Sequence, residues 1–174
     1  LHASDGLVLT GSVDLGLTYV RQRNVIAGAL ADFLANMRCA DFSAERLRES
    51  SLPTPSVELG REGQNLAAVL DRLAGERPLA RNKINEELRK VMPDIDSVIT
   101  IPEQAGHKLV GIAEGDRVFR ADTVSDGMLL FIALSTVAQR SGGSTLIAME
   151  EIELGMHPRR IRETLDQMLR ISRT

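Results

Sequence analysis

"VSDGMLLFIALSTVAQRSGGSTLIAMEEIELGMHP", Val124 to Pro158, carries the two features from which the fold is read. Ser125 and Asp126 are helix-capping residue types set ahead of an apolar run from Met128 to about Gln139, which Gly142 and Gly143 end as C-terminal stop signals. The run is too apolar for a surface helix. "STLIAM", Ser144 to Met149, then reads as a short buried strand that stops on two adjacent acids, Glu150 and Glu151, before a turn through Gly155, His157 and Pro158. Acids at the carboxyl end of a buried strand lie where α/β proteins place their ligands.

Each feature has two readings. Paired glutamates fixed on a buried strand need compensation by a metal ion or hydrogen bonds, and Mg2+ accompanied by phosphates is the usual compensator for hard oxygen ligands. The plainer alternative is the start of an exposed loop. Ser125, Asp126 and Gly127 offer a hydroxyl, free backbone N–H groups, a close-approach glycine and the positive end of a helix dipole, a set that suits a phosphate. Here the plainer alternative is an ordinary N-cap.

Upstream, the glycine-broken β-type segment over residues 6–20 predicts short strands or a hairpin. "VIAGALADFLANM", Val25 to Met37, predicts a helix with Ile26, Leu30, Phe33, Leu34 and Met37 on one inward face. "SSLPTPS" is a loop. Asn65 is placed as the N-cap of a helix through Leu66, Val69, Leu70 and Leu73 that Gly75 and Pro78 end, and a second helix buries Ile84, Leu88 and Val91 or Met92 before Pro93. "SVITIPEQAGHKLVGIAEGDRVFRAD", Ser97 to Asp122, predicts an antiparallel meander with a tight turn at Gly115-Asp116. The last helix, from Pro158, turns Ile161, Leu165, Met168 and Leu169 inward. His2 and His107 read as solvated, and Cys39 as a small buried residue.

At 174 residues and 43% hydrophobic, the chain has enough apolar surface for a core of its own. A formal net charge of -3 gives no overall basic field for nucleic acid. One cysteine excludes an intramolecular disulfide, and no run approaches the roughly 20 apolar residues of a membrane helix. No signal peptide is evident, so a cytoplasmic location is expected.

Taken in order, "VSDG", the apolar helix, the Gly-rich break, the strand ending "MEE", then "ELGMHP" and a further helix closely resemble the C-terminal half of ABC-type ATPase domains. Within that class they look most like the SMC, RecF and OLD-like group of AAA-type ATPases, whose usual text is an S-D-G signature, an acid-Glu-Pro-Glu and a Leu-His-Pro. The likeness runs from about Val124 to Ile171, with support from "GREGQNLAAVLDRL" and "MPDIDSVI", which look like that group's lobe. The resemblance implies an α/β, partial P-loop NTPase fold of ABC type with an inserted helical and β-meander lobe. Residues 1–20 would be strands of the core or the lead into the lobe, 21–123 the lobe, and 124–174 the signature helix, Walker B strand and following helix.

The resemblance also implies ATP and Mg2+ as cofactors and a head-to-head homodimer. Ser125, Asp126 and Gly127 would contact the γ-phosphate of a nucleotide held by the partner subunit. Glu150 would hold Mg2+ at the Walker B position, Glu151 would orient the attacking water, and His157 would face the dimer partner from a D-loop-like turn. Members of the group work on DNA, or with effector nucleases and toxins, in repair or anti-phage defence, and no membrane is involved.

The chain departs from the pattern at three places. Glu150 stands where an aspartate is more usual, Ile152 replaces the proline, and no G-x-x-x-x-G-K-[ST] occurs in the 174 residues. "GREGQN", Gly60 to Asn65, lacks the lysine and a preceding buried strand and reads as a turn. The start at Leu1 and the close on "RISRT" point to a fragment, expected not to bind ATP appreciably by itself. Two other classes stay open: a non-catalytic protein-interaction module on an ATPase-like scaffold, and a DNA-binding regulator, which the charge does little to support.

Overall fold

Apolar residues three and four apart put one face of a helix against a core, and two consecutive segments do this here. The computed structural model describes residues 25–35, 38–56, 58–139, 147–149, 161–162, 165–166 and 169. Helices α1 (Val25–Ala35), α2 (Ala44–Leu47), α3 (Leu66–Glu76), α4 (Pro78–Val91) and α5 (Asp126–Ala138) are joined by strands β1 (Arg38–Ala40), β2 (Ser97–Pro102), β3 (Lys108–Glu114), β4 (Arg117–Arg120) and β5 (Ile147–Met149). Leu66, Val69, Leu70 and Leu73 of α3, with Ile84 and Leu88 of α4, are all buried, and Met92 follows them into the core. The expected strands over residues 6–20 lie outside the described residues, as do Gly142, Gly143, Met37 and the side chains of Phe33, Leu34 and Cys39.

Two details of α3 differ from expectation. Asn65 holds the N-cap position, but its side chain makes no cap bond; Oδ1 accepts from the Gly60 N–H at 2.7 Å and Nδ2 donates to the Glu58 carbonyl at 2.9 Å. The amide closes the preceding loop instead. Gly75 does not end the helix, because it keeps ordinary helical backbone and the Arg72–Glu76 pair (2.7 Å) staples the last turn across it. The break comes at Arg77 (φ −139, ψ 63), where the following proline disfavours helical backbone, and Pro78 then opens α4.

The meander is present as an antiparallel sheet in the order β2-β3-β4. Its register sets Val98 opposite Ile112 and Ile112 opposite Phe119, so these three share one face, and Val98, Val110 and Ile112 on it are buried. Gly115 (φ +55) fills the first position of the two-residue turn between Glu114 and Arg117, where a positive φ favours glycine. Helices α3 and α4 pack on β2, α3 also on β3, and α5 packs against α2 and α4. Ser51, at the start of the proline loop, exchanges both backbone bonds with Lys108 (2.8 and 2.9 Å) and accepts from the Ala68 N–H at 3.0 Å. His107 lies within 3.3 Å of the Ser50 hydroxyl, half-buried rather than freely solvated.

Two compact units divide the chain, Leu1–Arg38 with Gly143–Ala148, and Cys39–Gly142 with Met149–Thr174. The core of α3, α4, α5 and the meander belongs wholly to the larger unit. Strands β1 and β5 are neighbours in a two-stranded sheet.

The inward stripe expected of α1 is not inward at its first turns: Val25, Ile26 and Leu30 are 89%, 81% and 57% exposed. Late in the chain, Ile161 packs on the core, but Leu165 and Leu169 are exposed rather than turned in. Periodicity groups residues on a face without supplying the element that covers it. Among the described residues, no helix is long and apolar enough to cross a membrane.

Candidate functional site

Helix α5 is buried over nearly its whole circumference, from Leu129 to Thr136, which fixes its N-terminus as a rigid platform. The chain reaches it through a 3-10 turn, Ala121–Thr123, pinned by two buried residues, Ala121 and Val124. Ser125 follows in extended backbone (φ −64, ψ 148), and its carbonyl accepts from the Met128 N–H at 3.0 Å and the Leu129 N–H at 3.2 Å. Its side chain is exposed and makes no cap bond. The N-cap position is thus occupied while its usual side-chain bond is not made. Asp126 is exposed and Gly127 buried, so the first turn presents a hydroxyl, a carboxylate and backbone N–H groups that have no partner within the helix.

Arg48, the C-cap of α2, reaches this turn from elsewhere in the sequence. One guanidinium nitrogen, Nη2, donates to the Val124 carbonyl at 2.7 Å and to Asp126 Oδ1 at 2.5 Å, while Nη1 donates to the Ala44 carbonyl at 3.0 Å. Leu47, fully buried, roots the short helix that carries the arginine. No motif marks Arg48. It lies 78 residues from Asp126 and is one of 21 lysines and arginines, so only the fold reveals it.

Arg48 therefore lies against the turn that carries Ser125, Asp126 and Gly127, bonded to it at Val124 and Asp126. Glu150, Glu151 and His157 lie outside the described residues; strand β5 ends at Met149, directly before Glu150. Gly60 to Asn65 is the expected turn: Gly63 (φ +85) donates to the Gly60 carbonyl at 3.0 Å, and the Gly60 N–H is taken by Asn65. Its amides close the loop on itself and do not form an open cradle.

The family described as "AAA domain, putative AbiEii toxin, Type IV TA system" matches residues 12–173. The chain belongs to this AAA-domain family. No curated protein and no solved structure matches it. AAA domains are ATPase-type, nucleotide-binding domains that take ATP with Mg2+. In this AAA domain, the exposed hydroxyl and first-turn N–H groups at Ser125–Gly127, with the Asp126 charge offset by Arg48, are donors that fit a phosphate. Among the described residues, no group of three or more His, Cys, Asp or Glu could hold a metal ion.

Proposed function

We propose that this AAA domain is of the ABC type, in the SMC, RecF and OLD-like group, and that it works in an ATPase closing head to head on two nucleotides. Ser125, Asp126 and Gly127 are its signature, acting on the γ-phosphate of ATP held by a second copy. Glu150 holds Mg2+, Glu151 orients the attacking water, and His157 faces the second copy. Mg2+, when bound, supplies charge neutralisation to the phosphates. Residues 21–123 form the lobe and 124–174 the part of the core that carries these motifs. The observation that carries the reading is the Ser125 hydroxyl, exposed and free of any capping bond at the start of a helix that is otherwise buried. The family description supports a toxin–antitoxin setting; phage defence, with DNA or an effector as the object of the cycle, is carried over from the resemblance alone.

The test uses the complete gene product. Glu151→Gln should leave ATP binding intact, abolish phosphate release and trap a dimer visible by sedimentation when ATP is added. Full hydrolysis in that variant removes Glu151 from the catalytic role. A second reading, an interaction module on an ATPase-like scaffold, is favoured by the closed Gly60–Asn65 loop and the lack of a G-x-x-x-x-G-K-[ST] in these residues. Absence of ATP binding by the complete gene product would decide for it.

A further inference from the structure

We infer that Arg48 is a positioning residue for the signature turn: it sets the backbone around Ser125 for an incoming nucleotide phosphate and holds the Asp126 carboxylate neutralised. The inference rests on the reading of Ser125–Gly127 as the signature. Its geometry is particular. A single nitrogen, Nη2, donates to the carbonyl of Val124 and to the carboxylate of Asp126, so Ser125 is bracketed on both sides by one guanidinium. Holding the peptide before Ser125 and the side chain after it fixes the backbone from which the Ser125 side chain and the first-turn N–H groups project. The arginine is itself held, by the Ala44 carbonyl on its other terminal nitrogen and by the rooting of α2 through Leu47.

Charge gives the second argument. A carboxylate in the first turn favours the helix dipole, but it repels any phosphate that approaches the same N–H groups. At 2.5 Å the guanidinium offsets that charge and leaves a dipolar pair beside the turn. The Asp126 side chain is 51% exposed and that of Arg48 26%, so the pair lies at the surface a second molecule would meet. An ordinary surface ion pair has the same charges, but it does not also clamp the backbone carbonyl of a buried residue, Val124, two positions before the carboxylate.

The test is made in the complete gene product, with phosphate release, titration of a fluorescent ATP analogue and ATP-driven dimerisation as readouts. Arg48→Ala should lower kcat about tenfold or more, as misplaced reacting groups do, while KM for ATP and affinity for the analogue stay within about threefold. Arg48→Lys keeps the charge but loses the planar fork that reaches both acceptors, and should recover only part of kcat. Asp126→Asn added to Arg48→Ala should cost less than the two changes separately. Should Arg48→Ala fail to fold, Arg48→Lys decides: reduced kcat in the folded variant supports the inference, and full kcat overturns it. Ser125→Ala separates the two layers. If it abolishes turnover while Arg48→Ala retains wild-type kcat and dimerisation, the positioning role is wrong and the signature reading stands. If Ser125→Ala turns over ATP at the full rate, the signature reading fails and the role of Arg48 falls with it.

Discussion

Ser125 and Arg81 illustrate how differently an exposed and a buried polar side chain can be employed in one domain. A serine that caps a helix contributes about 1 kcal/mol through its hydroxyl, but Ser125 makes no such bond. Ser125→Ala is therefore expected to change the unfolding free energy measured in urea by less than about 0.5 kcal/mol while lowering ATP turnover about a hundredfold, the loss that follows removal of one donor to a developing phosphate charge. A stability loss near 1 kcal/mol with full turnover would restore the capping role. Arg81 is the opposite case. It is 8% exposed, its Nη2 donates to the Val98 carbonyl, and its Nη1 has no hydrogen-bond partner among the described residues. Burial pushes its guanidinium down to about 10, against the opposing charge of Asp71. A folded value below the unfolded one means the unfolded chain binds the proton more tightly. The penalty is complete below about pH 10, on the order of 3 kcal/mol, and is relieved as pH rises from there toward the unfolded value. Arg81→Met, which keeps length without charge, should lie within about 1 kcal/mol of wild type or above it in urea unfolding at pH 7, because relief of the penalty offsets the lost bond to Val98. Arg81→Ala should fall about 2 kcal/mol below Arg81→Met through the cavity it leaves. A loss beyond about 3 kcal/mol for Arg81→Met would make the arginine a net anchor instead. At this scale the sequence shows that a Ser-Asp-Gly starts a helix. It does not show whether the hydroxyl is spent on a cap, nor that an arginine 78 residues away is bonded beside it.

Among the elements, helices α3 and α4 are the part most legible in advance. Their apolar spacing named Leu66, Val69, Leu70, Leu73, Ile84 and Leu88, and every one is buried, because α3 and α4 lie against the meander and one another. Leu88→Ala should accordingly cost about 2–5 kcal/mol, while Leu79→Ala, at a side chain that is exposed on the same helix, should change stability by less than about 0.5 kcal/mol, both read from urea unfolding. Equal effects at the two positions would contradict the orientation of α4. The meander was legible for a related reason: alternation and the Gly115-Asp116 turn set its register locally. The same spacing argument failed on Ile26, Leu30, Leu165 and Leu169, which are exposed. Helical period says which side chains share a face, whereas burial depends on a covering element that local sequence does not specify. Gly75 gives the companion lesson about breakers. A glycine inside a helix costs about 1 kcal/mol, and an i,i+4 ion pair with a well-buried helix face outweighs it, whereas the backbone restriction a proline places on Arg77 cannot be outweighed so cheaply.

For the whole molecule, the motif order was readable, because it is a linear pattern, whereas the bonding of Arg48 to the turn at Val124 and Asp126 needed the fold to close a long loop. The proposed function adds a level that neither describes, since a signature and a Walker B glutamate acting on shared nucleotides lie in different copies. That arrangement has a quantitative consequence. On that reading, Ser125→Ala dimers would lack a complete signature at both sites and Glu151→Gln dimers the water-orienting carboxylate at both, so each variant alone should be inactive. Mixed in equal amounts and allowed to exchange, half of the dimers pair one copy of each. In such a dimer one site combines an intact Ser125 with an intact Glu151, and the other carries both defects. Phosphate release should then return to about a quarter of the wild-type rate if the sites fire independently, as the symmetry of a two-fold dimer dictates. If Ser125 and Glu151 of the same copy served one nucleotide, every site in every mixture would carry a defect and mixing would restore nothing. Recovery on mixing, measured against each variant alone at the same total protein and saturating ATP, therefore distinguishes a shared site from a self-contained one.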